Sequence, residues 1–425
     1  MKRVAITGIG IIAPNGLDKE TYWDNLFSGE SYIEEDPVMV KMGIKATVNC
    51  RVKNFNLENF IVKGELLEHL KQQDRFIQMG VAAGTMAIED AGFDKDSING
   101  EDFGVIFTSA IGGTPMIQRV FEDLSEHGKK KVCYKPVGDH FYNAGMVNYP
   151  AVLLAHEYGF KNICTSISTG CTGGIDSIGM SFDAIRFGEA KVMLAGASEA
   201  PMTDITYATL DVIGALCVAD GEPSTRSRPF DKKRAGFVIG EGSGCLILEE
   251  LEHALERRAN IYGEIVSYSS INNAFHMTDL LGEGGSLAKA IEMALEKIDA
   301  SPDSIDYINA HGSSTQQNDL FETNAFKLAL GESAYKIPIS STKSMIGHSL
   351  SSASTMGFTA AIGSIKYSKV HPTANLVTPD EACDLDYVPK KARKHKVNRA
   401  MVTASGFGGI HSVGILDAFQ SEVKL

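Results

Sequence analysis

One stretch of this chain concentrates residue types that do chemistry. Ile163-Cys164-Thr165-Ser166-Ile167-Ser168-Thr169-Gly170-Cys171-Thr172-Gly173-Gly174-Ile175-Asp176 leaves a β-rich run, passes a small-residue turn and enters a helix whose apolar positions Ile175, Ile178, Phe182 and Ile185 keep helical spacing. Cys171 therefore stands at or near a helix N-terminus, where the dipole and free N–H groups favour a thiolate, and the flanking glycines admit a substrate to the sulfur. Cys50, Cys133, Cys164, Cys217, Cys245 and Cys383 have no such setting and read as small hydrophobes.

A nucleophilic thiolate needs acid–base or oxyanion partners. Of eleven histidines, two follow strand candidates within glycine- and hydroxyl-rich turns, His311 in Asn309-Ala310-His311-Gly312-Ser313-Ser314-Thr315 and His348 in Ser344-Met345-Ile346-Gly347-His348-Ser349. A histidine just past a strand end is presented into a crevice rather than packed on a helix. Together with Cys171 they make a Cys-His-His set drawn from three strand–turn junctions. Lys343, five residues before His348, adds a cation able to orient or tune an imidazole, or else a solvated surface lysine. Asp319 and Glu322 open a helix ending near Gly331 with the D-x-x-E spacing of a capping box. The run from Ser227-Arg228-Pro229-Phe230-Asp231 to Gly242 reads as a buried loop.

The elements that must position these residues alternate between β-rich and helical runs, the grammar of an α/β protein. Strands are predicted at Val4–Thr7, Val105–Thr108, Ile163–Ser166, Val192–Ala195, Cys245–Leu248, Ile305–Asn309 and Met401–Thr403, and helices at Phe76–Ala91 and Leu287–Ile298. Val192–Ser198 and Met401–Phe407 both run from a strand into a small-residue turn, which points to an internal duplication breaking near Glu249–Arg258. Gly8-Ile9-Gly10-Ile11-Ile12-Ala13 matches the dinucleotide fingerprint, but Pro14-Asn15-Gly16 breaks any helix that could receive a phosphate. The sequence also lacks a G-x-x-x-x-G-K-[ST] loop, so nucleotide binding is disfavoured.

Composition narrows the classes further. The 425 residues carry 40 basic and 53 acidic side chains, a formal charge of −13, which disfavours nucleic acid as the main partner. No apolar run approaches the roughly 20 residues of a membrane span. The N-terminus enters a strand without the apolar core of a secretory signal. Seven unpaired-looking cysteines fit a reduced, cytoplasmic setting.

On these motifs the chain resembles a β-ketoacyl–acyl-carrier-protein synthase of the thiolase superfamily over essentially its whole length. The resemblance rests on Thr169-Gly170-Cys171, Ala310-His311-Gly312, Lys343-Ser344…Gly347-His348, Arg228-Pro229-Phe230-Asp231 and Gly406-Phe407-Gly408-Gly409. The stretches from His311 to Lys327, Ile261 to Ile265 and Asn273 to Thr278 bring it nearest the catalytic (α) ketosynthase subunits of type II polyketide synthases. The resemblance implies a thiolase-like fold, two duplicated halves (1–256 with the cysteine, 257–425 with both histidines) forming a five-layer αβαβα sandwich, usually dimeric. It implies that Cys171 takes an acyl group from an acyl carrier protein, and that His311 and His348 hold the enolate formed as malonyl-carrier protein loses CO₂. It further implies an oxyanion hole from the N–H groups of Cys171 and Phe407, gating by Phe407 and Ile111, and pantetheine held by Ser313 and Thr315. Lys343 is then catalytic, and Asp319 and Glu322 support the site. The chain itself binds no metal, nucleotide or other cofactor; phosphopantetheine arrives on the carrier.

Four positions depart from that family. Relatives carry a glutamate nine residues after the second histidine, where this chain has Gly357; glycines are replaced by Ser351 and Ser354; and the asparagine after Gly-Phe-Gly-Gly-x is His411. The first change puts Lys343's network, and any cation bound near it, in question. His411 either titrates near neutral pH or fills the asparagine's hydrogen-bonding slot, and the second is preferred. Expected partners are the carrier protein, docked at Lys71 and Arg75 or at Lys129–Lys131, and a chain-length-factor subunit of the same fold. The alternatives are a homodimeric elongating fatty-acid synthase and a non-catalytic chain-length partner. Cys171 argues against the latter, and Cys383, in Glu381-Ala382-Cys383-Asp384, against a degradative thiolase.

Overall fold

The structure, a computed structural model, describes residues 1–135, 137–138, 140–280 and 282–420. Ten strands build its main sheet: β1 (Val4–Ile12), β2 (Phe103–Thr108), β3 (Cys164–Ile167), β4 (Val192–Glu199), β5 (Gly242–Glu250), β6 (Gly263–Asn272), β7 (Tyr307–Asn309), β8 (Ile339–Ser340), β9 (Arg399–Gly406) and β10 (Ile410–Asp417). Their spatial order is β8-β7-β9-β10-β6-β1-β5-β4-β2-β3. Read outward from the β1–β6 seam, each half runs first, fifth, fourth, second, third strand. The pairing senses also repeat: β5 lies antiparallel to β1 and β4, with β4, β2 and β3 parallel, and β10, β6, β9, β7 and β8 do the same. The duplication hinted at by two similar strand–turn runs is thus carried by the whole topology.

Six helices fix the layers: α1 (Arg75–Asp90), α2 (Tyr149–Tyr158), α3 (Gly173–Arg186), α4 (Gly285–Glu296), α5 (Gln316–Leu330) and α6 (Ser352–Tyr367). Helices α1 and α2 cover the first half, α4 and α5 the second, and α3 packs on α6 between the two halves. This is the five-layer sandwich that the resemblance implies. Strands β1, β4 and β5 are buried at every residue because helices cover both faces, so they read as continuous apolar runs rather than alternating ones.

The predicted strand at Val4 runs on to Ile12, through the dinucleotide-like glycines. A Cβ on Gly8 would lie 2.1 Å from the Ala87 carbonyl oxygen, and one on Gly10 would lie 1.8 Å from that of Ala83. These glycines let α1 lie close on the sheet, and Asp74 starts that helix by accepting from the Phe76 N–H. Strands β6, β8 and β10 are not among those expected from the sequence. Strand β6 hides because polar residues fill its inward positions: Ser267 and Ser269 donate to the carbonyls of Ala294 and Ala290 on α4. Among the described residues no helix is long and apolar enough to cross a membrane, and no group of three or more His, Cys, Asp or Glu is placed to hold a metal ion.

Candidate active site

The carboxyl ends of β3, β7, β8 and β9 converge, and each delivers one piece of a common site. After β3, Gly170 (φ 64°) turns the chain through the left-handed region, and a short helical turn over Gly170–Thr172 leads into α3. Asp176, buried in the first turn of α3, fastens this elbow by accepting from the hydroxyls of Thr169, Thr172, Tyr268 and Ser412. From behind, α6 presses against it. Gly174 N donates to the Ser351 carbonyl, Ser354 Oγ donates to the Cys171 carbonyl, and a Cβ on Gly174 would lie 2.5 Å from Ser354 Oγ.

Cys171 is thereby pushed to the wall of a cavity of about 530 Å³, part-exposed toward it. Burial dominates its electrostatics and pushes the thiol up to about 11; Lys343 pulls the other way, Glu199 adds to the rise, and the N–H groups of Cys171 and Phe407 favour the anion. The expectation of a thiolate at a helix N-terminus is corrected here. Desolvation outweighs the helix end, so the resting group is a thiol whose sulfur already faces two N–H donors.

The two imidazoles lie on the same cavity, their ring centroids 5.1 Å apart and nearly perpendicular at 84°. Burial and the charge of Lys343 pull both well below the ordinary histidine range, so both are neutral at physiological pH. A neutral ring keeps one N–H to donate. No hydrogen bond to either ring occurs among the described residues, and His348 Nδ1 is buried without a partner, so this hydrogen-bonding capacity is open to a substrate.

Behind the histidines lies a buried polar frame. Lys343 Nζ donates to the His311 carbonyl. Glu322 accepts from His311 N (2.7 Å), Gly312 N (2.8 Å) and Thr403 Oγ1 (2.6 Å), and Asp319 accepts from Phe230 N (2.8 Å) and Ser314 N (3.2 Å). The capping-box reading of Asp319 and Glu322 is therefore wrong. Thr315 is the N-cap of α5, accepting from Asn318 N, and both carboxylates lie further along, turned inward onto the histidine loop. Burial raises Glu322 and lowers Lys343, each disfavouring its charged form, while their mutual attraction opposes that.

Ser313 and Thr315, their hydroxyls 3.0 Å apart, line the cavity, as does Phe407. Phe407 is 43% exposed on the β9–β10 turn. Gly408 N donates to the Met277 carbonyl, and a Cβ on Gly409 would lie 2.0 Å from Asn273 Oδ1. Ile111 is not on the cavity wall; it sits in the loop after β2, its carbonyl accepting from Thr114 Oγ1. The cations chosen for carrier docking are otherwise engaged. Lys71 bridges Glu58 and Glu68, and Arg75 holds the buried carboxylate of Glu241 and the Val52 carbonyl. Arg75 is thus a fold contact first, part-exposed at the surface, which weighs against its docking role. Lys129, Lys130 and Lys131 are exposed, Lys130 pairing with Glu126.

Sequence reasoning missed Arg234, Phe237 and Glu199. Arg234 lines the cavity while donating to the carbonyls of Thr315 and Gln316 and pairing with Asp380, so the loop from Ser227 to Gly242 braces the Ser313–Gln316 segment. Phe237 packs edge-on against His348. Their signal was the density of charge and glycine in that loop, which spacing alone does not direct to a site.

Residues 1–254 match the family model described as "Beta-ketoacyl synthase, N-terminal domain", and residues 262–377 match its C-terminal counterpart. The chain belongs to the β-ketoacyl synthase family. It is 39% identical to the "Putative polyketide beta-ketoacyl synthase 1" of Streptomyces halstedii, over 98% of each chain. Among solved structures it matches the ketosynthase in the AntDE:AntF complex, a type II PKS acyl-carrier protein with its ketosynthase bound to the hexaketide (TM-score 0.92, 38% identity, 99% and 100% covered). It also matches the ishigamide ketosynthase/chain length factor (TM-score 0.90, 29% identity, 99% and 100% covered).

Against this β-ketoacyl synthase background the departures gain physical content. At Gly357 a Cβ would lie 2.7 Å from Asn309 Oδ1, so a glutamate there requires the Asn309 side chain to move. Nearby Tyr307, Asn309 and Ser340 surround His371 Nε2, which burial holds neutral by drawing its pKa to about 4. These mutually satisfied neutral groups do not fit a bound cation. His411 is buried, stacks on Phe321 and bonds Ser405 Oγ, with its pKa drawn to about 4, so it does not titrate near neutral pH.

Proposed function

We propose that this chain is the catalytic ketosynthase subunit of a type II polyketide pathway, joining an acyl group held on Cys171 to a malonyl unit delivered by an acyl carrier protein. The observation that carries this is one cavity wall presenting a thiol, two neutral imidazoles and two N–H groups aimed at the sulfur. In the first step the Cys171 sulfur attacks the carrier thioester, and the N–H groups of Cys171 and Phe407 hold the oxyanion until the carrier thiol leaves. In the second, the C–C bond to the malonyl carboxylate breaks and CO₂ departs. The electron pair moves into an enolate whose oxygen takes hydrogen bonds from His311 and His348; a positioned donor of this kind is worth about 3–4 kcal/mol. The enolate carbon then attacks the acyl carbonyl, the C–S bond breaks, and Cys171 recovers a proton.

Residues 1–256 supply the nucleophile and 257–425 both histidines. Lys343 holds the His311 loop from behind, and Ser313 and Thr315 offer hydroxyls to the pantetheine arm. The chain itself needs no cofactor; phosphopantetheine comes with the carrier. The partners are that carrier protein and a second subunit of the same fold, a chain-length factor, in the cytoplasm.

Intact-mass measurement after incubation with acyl-carrier proteins of graded chain length, with and without a co-expressed partner subunit, tests this. An adduct on Cys171 and a β-keto product once malonyl-carrier protein is added are expected. Adducts and product from a homodimer alone, with fatty-acid chain lengths, would favour the elongating fatty-acid reading. No adduct in either state would refute both.

A further inference from the structure

Ser405 lies at the end of β9, and the condensation steps above make no use of it. Its neighbours on the strand show which way it points. Side chains two residues apart share a sheet face, and Thr403 Oγ1 accepts from His311 N at 3.3 Å. Ser405 therefore projects on the face that carries the histidine loop. Gly406 faces the other way: a Cβ there would lie 3.3 Å from the Thr169 carbonyl oxygen and 3.4 Å from Cys171 N. The end of β9 thus divides the site, with the cysteine elbow on one face and Ser405 beside the histidine loop on the other. Ser405 and Gly406 both line the cavity that holds Cys171, His311 and His348.

The Ser405 hydroxyl has a defined direction of donation. Opposite it across the β9–β10 pair stands His411, whose Nδ1 lies 2.9 Å from Ser405 Oγ. The other ring nitrogen, Nε2, meets the amide nitrogen of Asn273 at 3.5 Å. That amide is oriented by its own oxygen, which accepts from Phe275 N at 3.0 Å. An amide nitrogen only donates, so Nε2 is the acceptor and the ring proton sits on Nδ1. His411 therefore donates to Ser405 Oγ, and the serine cannot spend its own proton on the ring. No acceptor for that proton occurs among the described residues. Neither His411 nor Asn273 lines the cavity, so what they leave open to it is one O–H donor.

We propose that Ser405 is a specificity-determining residue for the extender unit: its hydroxyl, turned outward by His411 and Asn273, donates to the carboxylate of the malonyl group. This rests on the ketosynthase reading above. On that reading the malonyl thioester is the substrate brought to the histidine face, and its oxygens are hydrogen-bond acceptors only. His311 and His348 take the thioester oxygen, which leaves the carboxylate for the donor on Ser405. The bond exists in the bound substrate and is released as the carboxylate gives up its electron pair and departs as CO₂. Ser405 thus acts on binding of the extender unit rather than on the rate of C–C cleavage. His411 and Asn273 are positioning residues that act through the hydroxyl.

The test uses this chain with its co-expressed partner subunit, first acylated on Cys171. It follows CO₂ release from malonyl-carrier protein in single turnovers over a range of concentrations. Ser405→Ala should raise the half-saturating concentration about tenfold, the effect of one hydrogen bond to a charged group. Its maximal rate and its acylation of Cys171 should both stay within about twofold of wild type. Ser405→Thr keeps the hydroxyl and should half-saturate within about threefold of wild type. His411→Phe keeps a ring on Phe321 without the donor. It should raise half-saturation about threefold alone and not at all beside Ser405→Ala; an equal loss in both backgrounds would remove His411 from this role. An unchanged half-saturation in Ser405→Ala would overturn the proposal. So would a loss confined to the maximal rate, or an equal loss in acylation, which a general disturbance of the β9 end would produce. If Ser405→Ala does not fold, Ser405→Val and Ser405→Thr, alike in shape and different in one hydroxyl, give the same comparison. Absence of an acyl adduct on Cys171 in the wild type defeats the ketosynthase reading and this proposal with it. Adduct formation with an unshifted half-saturation defeats this proposal alone.

Discussion

Glu322→Gln probes the frame behind His311 with almost no change of shape. The native carboxylate takes three donors at full burial: His311 N and Thr403 Oγ1 on one oxygen and Gly312 N on the other. In the best placement the glutamine carbonyl keeps the first two, and its amide nitrogen is set against the Gly312 N–H. That leaves two buried donors facing each other, each costing about 1–3 kcal/mol, so stability should fall by about 2–4 kcal/mol. The opposite flip sets the amide nitrogen against the His311 N–H instead, with Thr403 Oγ1 turning to accept from it, so one donor clash remains either way. Lys343 also loses the carboxylate that favours its charged form, and Cys171 in turn loses part of the cation that favours a thiolate. The His311 backbone would shift, and displacing a positioned enolate donor typically costs about 10- to 100-fold. Guanidinium unfolding at pH 8, where the carboxylate is ionised, gives the first number. Single-turnover CO₂ release from malonyl-carrier protein gives the second. A stability change below about 0.5 kcal/mol with decarboxylation within twofold of wild type would refute the view of Glu322 as the clamp of this loop.

Cys171→Ala should abolish acyl transfer and condensation yet retain malonyl decarboxylation, since His311 and His348 lie on their own strand ends; CO₂ release by a well-folded variant checks this. Arg75→Ala should lower stability by about 1–3 kcal/mol, less than for a fully buried pair because Arg75 is about a third exposed, while KM for carrier substrates stays unchanged. Parallel unfolding and steady-state assays separate the two effects. Burial of His371 should cost the protein stability between pH 6.5 and 4. His371 is neutral when folded, with its pKa near 4, so the unfolded chain binds the proton first, and the stability present above 6.5 is lost as pH falls. The 2.5-unit gap corresponds to about 3 kcal/mol, and His371→Asn should flatten that part of the stability–pH curve.

Strand ends and helix starts were readable from sequence because they are local. The apolar spacing after Cys171 and the glycines beside His311 and His348 report contacts within a few residues. Strand β6 was missed because its inward serines satisfy themselves on α4 carbonyls, a partnership distant in sequence. The D-x-x-E spacing of Asp319 and Glu322 matched a cap that Thr315 in fact supplies, since spacing does not say which turn of the helix comes first.

The sequence by itself determined the nucleophile candidate, the two histidines, seven of the ten strands of the main sheet and the family they belong to. Only the tertiary structure decided the state and company of those groups. Cys171 rests as a thiol because burial outweighs a helix end, Arg75 holds the buried carboxylate of Glu241, and Glu322 clamps the His311 loop. Each depends on desolvation and on neighbours from remote strands, and both arise only when the two halves close around α3 and α6.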